Sequence, residues 1–314
     1  MFANVTLRQM EYFVAVADNE TVAAAADQLF LTPSALSLAL GTMEKSIGAK
    51  LLVRQRAKGT YLTAIGKELV VHARQVLAAA QNFESAVEMI QGELVGPLRV
   101  GCFETLSPWV IPPILEHFSR SHPRVEVEVL EASSEELEEK LQKGQLDAAF
   151  MFQLQVPRDL ESVGVAQFRP QVMLSPDHHL AAFEELSLEQ LEGEDAILLS
   201  LTSALNLANS ILLSAGFTPN IRWKVRNVDT LRSLVARGFG YNIVLGRPGR
   251  KDTHDGLPLA FRNITNKLPE NSLRLVYPQG NSQNARLEAL QMFALEEFPK
   301  LSPRTTAVKG PEKP

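Results

Sequence analysis

Residues 21–48 read TVAAAADQLFLTPSALSLALGTMEKSIG, and this stretch decides the reading of the first part of the chain. Thr21 is placed to cap a short helix from Val22 to Leu29, whose inner side is almost all alanine. Small side chains there let a neighbouring helix approach closely. Phe30-Leu31 forms a tight connection, and Thr32-Pro33 then opens a further helix, threonine as N-cap and proline at the first helical position. That helix is expected to run to about Ile47, with Leu36, Leu40, Met43 and Ile47 as its buried stripe. Two helices joined by a three-residue connection, the second opening on small hydroxyl residues, fit a helix-turn-helix.

On the N-terminal side, Thr6 and Gln9 make a capping box for a first helix carrying Leu7, Met10, Phe13, Val14 and Ala17 at helical spacing. On the C-terminal side, the apolar runs 51–53 and 61–63 flank the turn QRAKGT, which reads as a hairpin, or wing, with Arg56 and Lys58 at its tip. From Lys45 to Lys67 there are six basic residues and no acidic one, although the whole chain carries a net charge of −5. Such a cationic island suits contact with phosphates. The expected DNA face is Thr32, Pro33, Ser34, Ser37, Leu38 and Thr42 toward the groove, with Lys45, Arg54, Arg56 and Lys58 on the backbone. Hydroxyls can meet several base edges, and Leu38 can touch a thymine methyl. Three small helices with a hairpin also occur as a plain compact unit, so spacing alone leaves DNA binding open.

The residues Ala23 to Ala26, Leu29, Thr32 to Ser37, Met43-Glu44, Ile47-Gly48, Leu51-Leu52, Arg54, Leu62-Thr63 and Gly66 together resemble the signature of LysR-type transcriptional regulators. The resemblance is position by position over about the first 66 residues and looser to about residue 300. It implies a winged helix-turn-helix, a dimerising linker helix, a sensor domain for a small effector, and a homotetramer. The chain departs from the family in three places. Pro33-Ser34 stand before Ala35 where Gln-Pro is common, Leu38-Ala39-Leu40 follow Ser37, and Leu52-Val53 replace Phe-Glu. The usual amide reader is therefore missing, and the family's base preference does not carry over.

After Gly66, Leu69, Ala73, Val76, Ala80, Phe83, Val87 and Ile90 recur with alternating gaps of four and three. This a/d seam fits a helix that pairs with a second copy, although a long helix lying on its own domain has the same pattern. A dimer sets two recognition helices on two half-sites and calls for a pseudo-palindromic operator in double-stranded DNA. From Leu98 onward, strand and helix alternate twice, which predicts parallel sheets in a two-lobe α/β clamshell like periplasmic binding proteins. The expected organisation is 1–66 DNA-binding domain, 67–95 linker, and 96–301 effector domain, with a disordered tail over 302–314. The first lobe is placed at about 96–162 and 270–301, the second at about 163–269.

Ligands in such sheets bind beyond the carboxyl ends of strands, near helix N-termini. Phe103, Glu104 and Thr105 follow the first strand, Ser133 follows the second, and Thr202, Ser203 and Leu245 belong to the second lobe. Phe150 and Phe152 are expected to line the same cleft. A small carboxylate or similar anion would bridge the hydroxyls, whereas Glu104 would favour an amino or basic group. Thr105 and Ser133 also suit simple helix capping.

With 45% hydrophobic and 21% charged residues, and no apolar run near the ~18 residues that span a bilayer, no membrane association is expected. The start MFANVTLRQMEYF lacks a basic segment followed by an apolar one, so a cytoplasmic protein is expected. The single cysteine, Cys102, excludes an intrachain disulfide and is placed at the end of a buried strand. In peroxide-sensing members of the family a cysteine pair lies in the second lobe. The adjacent histidines His178 and His179 show no metal-ligand spacing, and no cofactor motif is present. Neither Gly-x-Ser-x-Gly, nor a phosphate loop, nor His-Glu-x-x-His occurs, which speaks against an enzyme. A transport binding protein would fit the second part of the chain and leave the first 92 residues unexplained.

Overall fold

A computed structural model describes residues 5–19, 21–55, 59–90, 94–200, 211–213, 216, 218–244, 251–268, 271–279 and 284–301. Helix α1 (Leu7–Asp18) begins with the expected capping box: the Gln9 N–H donates to Thr6 Oγ1 (3.2 Å) and the Thr6 N–H to Gln9 Oε1 (3.0 Å). Helix α2 (Val22–Gln28) is capped by Thr21 and buries Ala25 and Ala26 completely, so α3 (Pro33–Ile47) can lie close against it. The axes of α2 and α3 turn through 104°, within the range of a helix-turn-helix. The turn between them is closed by the Leu31 N–H on the Ala26 carbonyl (2.9 Å) and the Phe30 N–H on the Asp27 carbonyl (3.2 Å). Phe13, Val16, Leu36, Leu40 and Met43 form the core beneath, joined by Leu51, Val70 and Ala73.

The wing consists of antiparallel β1 (Leu52–Gln55) and β2 (Gly59–Leu62), with Leu52 opposite Leu62 and Gln55 opposite Gly59. Its root is fixed by Glu44, near the end of α3. This carboxylate accepts from Lys50 Nζ (2.6 Å), the Leu51 N–H (2.8 Å) and the Leu52 N–H (3.2 Å). Helix α4 (Ala64–Ile90) then starts hard against the wing, because a Cβ on Gly66 would lie 2.2 Å from the Leu51 carbonyl oxygen.

In the rest of the chain the elements run β3 (Gly96–Phe103), α5 (Ser107–Ser121), β4 (Val125–Ala132), α6 (Ser134–Gln142), β5 (Ala148–Phe152) and β6 (Glu161–Phe168). They continue as β7 (Gln171–Leu174), β8 (Glu185–Leu186), β9 (Asp195–Leu199), β10 (Asn220–Val225), α7 (Val228–Ala236), β11 (Asn242–Val244), β12 (Ala260–Ile264), β13 (Asn271–Tyr277) and α8 (Ala285–Leu301). One sheet has the order β4-β3-β5-β13-β6 and another β11-β7-β12-β8, while β9 pairs with β10. The β9 pair joins the second sheet through Tyr241, whose carbonyl accepts from the Ile197 N–H at 2.8 Å.

Parallel sheets were the expectation, and both large sheets are mixed. β3 is parallel to β4 and β5, but β13 returns from the second lobe and runs antiparallel to β5 and β6. A strand arriving from the far lobe has no crossover helix to reverse it, so it enters in the opposite sense. β6 carries the first sheet on to Phe168, so the chain leaves this lobe after that residue. The expected disordered tail 302–314 lies outside the described residues.

Arg74 links the two parts of the molecule. Arg74 of α4 donates through Nη2 to Asp18 at the end of α1 and through Nη1 to the Lys143 carbonyl just past α6 (3.1 Å). Gln145 Nε2 reaches the same Asp18 oxygen at 2.9 Å. Gly144 sits between them in the left-handed region (φ 64°), where a Cβ would come within 3.3 Å of Arg74 Cβ. α4 also packs against α8.

Candidate nucleic-acid interface and ligand cleft

The outer face of α3 collects Ser34, Leu38, Gly41, Thr42 and Lys45 into one stripe, since residues three and four apart share a helix face. Thr32, Pro33, Ser34, Leu38, Thr42 and Lys45 are exposed, and Leu38 presents 74% of its surface to solvent. Ser37 lies at the flank, half-buried. A Cβ built on the half-buried Gly41 would meet no neighbouring side chain within 4 Å, so the stripe is open at that point. Hydroxyl chemistry along the stripe is already partly committed. Thr32 Oγ1 caps the helix by accepting from the Ala35 N–H (3.2 Å) and sits 3.1 Å from Ser34 Oγ. Thr42 donates its proton to the Leu38 carbonyl (3.0 Å), which leaves only lone pairs to meet an outside donor. Lys50, part of the cationic island, is held by Glu44. Arg54 stands on β1 opposite Thr60, its side chain outside those described, and Arg56 and Lys58 lie outside the described residues. One residue beside this face was not singled out from sequence: Phe30, in the turn, is 97% exposed.

At the carboxyl end of β3, the structure brings Phe103, Glu104, Thr105 and Ser133 together. The Glu104 N–H donates to the Ala132 carbonyl at 3.3 Å, which ties the ends of β3 and β4 side by side. Glu104 is exposed and Thr105 half-buried. Phe103 is buried and packs edge-on to Phe152 (6.1 Å between ring centres), beneath the surface rather than on it. Phe150 is also drawn into the core, edge-on to Phe298 of α8 at 5.5 Å. Ser133 caps α6 by accepting from the Glu136 N–H at 3.3 Å. Thr202, Ser203 and Leu245 lie outside the described residues. Sequence reasoning passed over Ser107. It is buried in the first turn of α5, whose N-terminus has no side-chain cap. Apart from a weak contact with the Cys102 sulfur, its hydroxyl has no hydrogen-bond partner among the described residues. An uncapped helix N-terminus together with Thr105 favours negative charge.

Cys102 is fully buried, and burial pushes its thiol up to about 12, with Ser107 offsetting only part of the rise. His178, His179 and Glu194 are a cluster that chain spacing did not show, because Glu194 lies far along the chain, just before β9. Both histidine Nε2 atoms face this carboxylate, at 3.2 and 3.4 Å, with the two rings stacked. The Leu180 N–H donates to His178 Nδ1 (3.2 Å), which assigns that ring's proton to Nε2, toward Glu194. The arrangement is a hydrogen-bonded cap on the short turn 179–182, and a metal at His178 Nε2 would have to displace that proton.

The chain matches the family model described as "Bacterial regulatory helix-turn-helix protein, lysR family" over residues 7–67, and "LysR substrate binding domain" over residues 91–299. A hydrogen peroxide-inducible genes activator from Pectobacterium carotovorum is 28% identical over 288 residues, spanning 90% of this chain and 94% of the relative. An uncharacterized HTH-type regulator, YvbU from Bacillus subtilis, is 26% identical over 263 residues, 84% of this chain and 87% of its own length. Among solved structures, HinK, a LysR family transcriptional regulator from Pseudomonas aeruginosa, aligns with a TM-score of 0.62 at 26% identity, covering 95% of this chain and 100% of that one. A full-length OxyR variant from the same organism reaches 0.73 at 22% identity over 93% of this chain and 97% of its own, a likeness in fold alone.

Proposed function

Since the chain belongs to the LysR family of DNA-binding transcriptional regulators, we propose that α3 reads an operator through Ser34, Ser37, Leu38 and Thr42. In this reading Lys45, Arg54, Arg56 and Lys58 hold the phosphates, and the 96–301 region answers to a small effector. The observation that carries the reading is the exposed stripe on α3, set at 104° to α2 and free of charge over its N-terminal half. An uncharged reader draws little affinity from Coulomb attraction, so the flanking cations supply binding and the stripe supplies discrimination. Arg56→Ala is expected to weaken binding to every sequence and lower the salt slope by about one, whereas Ser37→Ala changes sequence preference. Filter or fluorescence titrations across a salt series, on fragments retained from sheared genomic DNA, measure both. An unchanged affinity and slope in Arg56→Ala would remove the wing from the interface.

The protein acts as a homodimer in this reading, on a pseudo-palindromic site, and the family implies a tetramer. Along α4, Leu69 and Ala73 pack into the core of their own head, while Val76 and Phe83 are exposed. A second copy would cover that part of the seam. The side chains of Val87 and Ile90 lie outside those described.

The effector enters where Glu104, Thr105 and Ser133 converge. The half-buried Thr105 and the uncapped start of α5 favour an anion such as a carboxylate, with Glu104 at the rim selecting against excess negative charge. Closure of the lobes then moves the heads, which requires the effector to bind the two states unequally. Several relatives are named for hydrogen peroxide. That property is not carried over. Peroxide reacts with thiolates, and the chain's one cysteine is buried with its thiol raised to about 12. No step of this function calls for catalysis, a cofactor or a membrane. No single helix among the described residues is long and apolar enough to cross a bilayer, and we place the protein in the cytoplasm.

A further inference from the structure

Phe30 holds two unfavourable positions at once. Among the described residues it is the one non-glycine residue with positive φ (54°). It stands just past the C-cap of α2, where the paired bonds from Leu31 to Ala26 and from Phe30 to Asp27 form the turn that helices end on when glycine is available. An L side chain there crowds its own backbone. The ring is also 97% exposed, although a benzyl group is driven into the interior when nothing else holds it out. The fold gains nothing in exchange. The half-buried Leu29 packs the end of α2 against the core of the head, and that core is complete without Phe30. Glycine or asparagine would build the same turn with less strain.

The ring sits two residues before Thr32, the N-cap of α3, next to the end of the helix that meets DNA in the reading above. Strain and exposed apolar surface coincide at the border of the interface and at no other described position. We propose that Phe30 is a DNA-contact residue whose ring lies on the apolar flank of each half-site, against the thymine methyls or deoxyribose edges beside the groove that α3 enters. The inference rests on α3 being the groove helix and adds to the hydroxyl stripe an apolar contact at its outer edge. Every nucleotide offers a sugar edge, so the contact supplies affinity throughout and a preference for thymine where the ring meets a methyl.

The test uses the full chain, operator fragments recovered by genomic selection, and the variants Phe30→Gly and Phe30→Asn. Both variants are expected to melt at or above the wild-type temperature, because the turn is relieved, and to bind the operator about tenfold more weakly. Replacing the border thymines with deoxyuridine separates the two contacts. Loss of wild-type affinity that Phe30→Gly does not share assigns a methyl, and equal binding to both DNAs by the wild type assigns the sugar edge. Phe30→Gly binding within twofold of wild type overturns the inference and leaves the groove reading standing, with another protein as the ring's partner. A lower melting temperature in Phe30→Gly overturns it too, since the ring would then be structural. Failure of the wild type itself to retain any specific DNA overturns both the inference and the reading beneath it.

Discussion

At Glu44 a single carboxylate, with its side chain only 10% exposed, accepts from three donors and holds the wing to the end of α3. Burial opposes its charge, yet the Lys50 ammonium and the Leu51 and Leu52 N–H groups outweigh burial and hold the carboxyl below its ordinary value of 4.5. The unfolded chain therefore takes up this proton first as the pH falls. The contribution of Glu44 to stability is whole above about pH 4.5 and is lost as the pH drops through the lowered folded value. Glu44→Gln is expected to cost about 1–2 kcal/mol at pH 7 and to flatten the loss of stability on acidification, as followed by urea melts between about pH 3 and 7. An equally steep acid limb in the variant would mean that other carboxylates govern it. The motif around Glu44 was visible in the sequence, but its role was not, because its partners lie on the far side of the Gly48 turn. The caps were legible for the opposite reason. Thr6 with Gln9, Thr21, and Thr32 with Pro33 each bond within three residues, so chain order already contains the geometry.

Whole elements show the same division. The amphipathic periods of α1, α3 and α4 are local, and the expected spans of these helices lie within a few residues of the observed ones. β6 and β12 escaped notice because each is defined by a partner far along the chain, β13 for the one and β7 for the other. β6 also reads as neither clean alternation nor a continuous apolar run, since it carries an extra residue, Val165, between the pairs it makes with Leu273 and Arg274 of β13. The seam on α4 belongs at this scale. Its N-terminal half serves the head, and its later half leaves Phe83 73% exposed. If the proposed dimer forms through this seam, Phe83→Glu is expected to leave a monomer at micromolar concentration in sedimentation experiments, with the α-helical circular dichroism of the head retained. An unchanged sedimentation coefficient would place the subunit contact elsewhere.

For the molecule as a whole, the junction at Arg74 couples parts that the sequence keeps apart. The guanidinium side chain is 7% exposed, so it depends on its partners for solvation, and those partners come from α1 and from the turn after α6. Asp18→Asn weakens the charged partner and is expected to cost about 1–3 kcal/mol. In hydrogen exchange, peptides covering the end of α1 and residues 140–146 should lose protection together. If only the α1 peptide changed, the head and the first lobe would be energetically separate bodies. Nothing in the local pattern of KELVVHAR singles out Arg74 from any other surface cation, which is why a junction of this kind stays invisible until the chain is folded.

The Gly96 boundary looks like a natural place to cut and rejoin two genes, since a long helix ends shortly before it and a strand begins there. The contacts of Arg74 make such a crossover costly. A hybrid taking residues 1–95 from one parent and the remainder from another inherits Asp18 and Arg74 from the first, and Gly144 and Gln145 from the second. If the second parent carries a bulkier residue at the Gly144 position, its side chain meets the arginine stem, and the two halves must reseat. A hybrid built on this chain is therefore expected to fold best when the turn after α6 is exchanged along with the head.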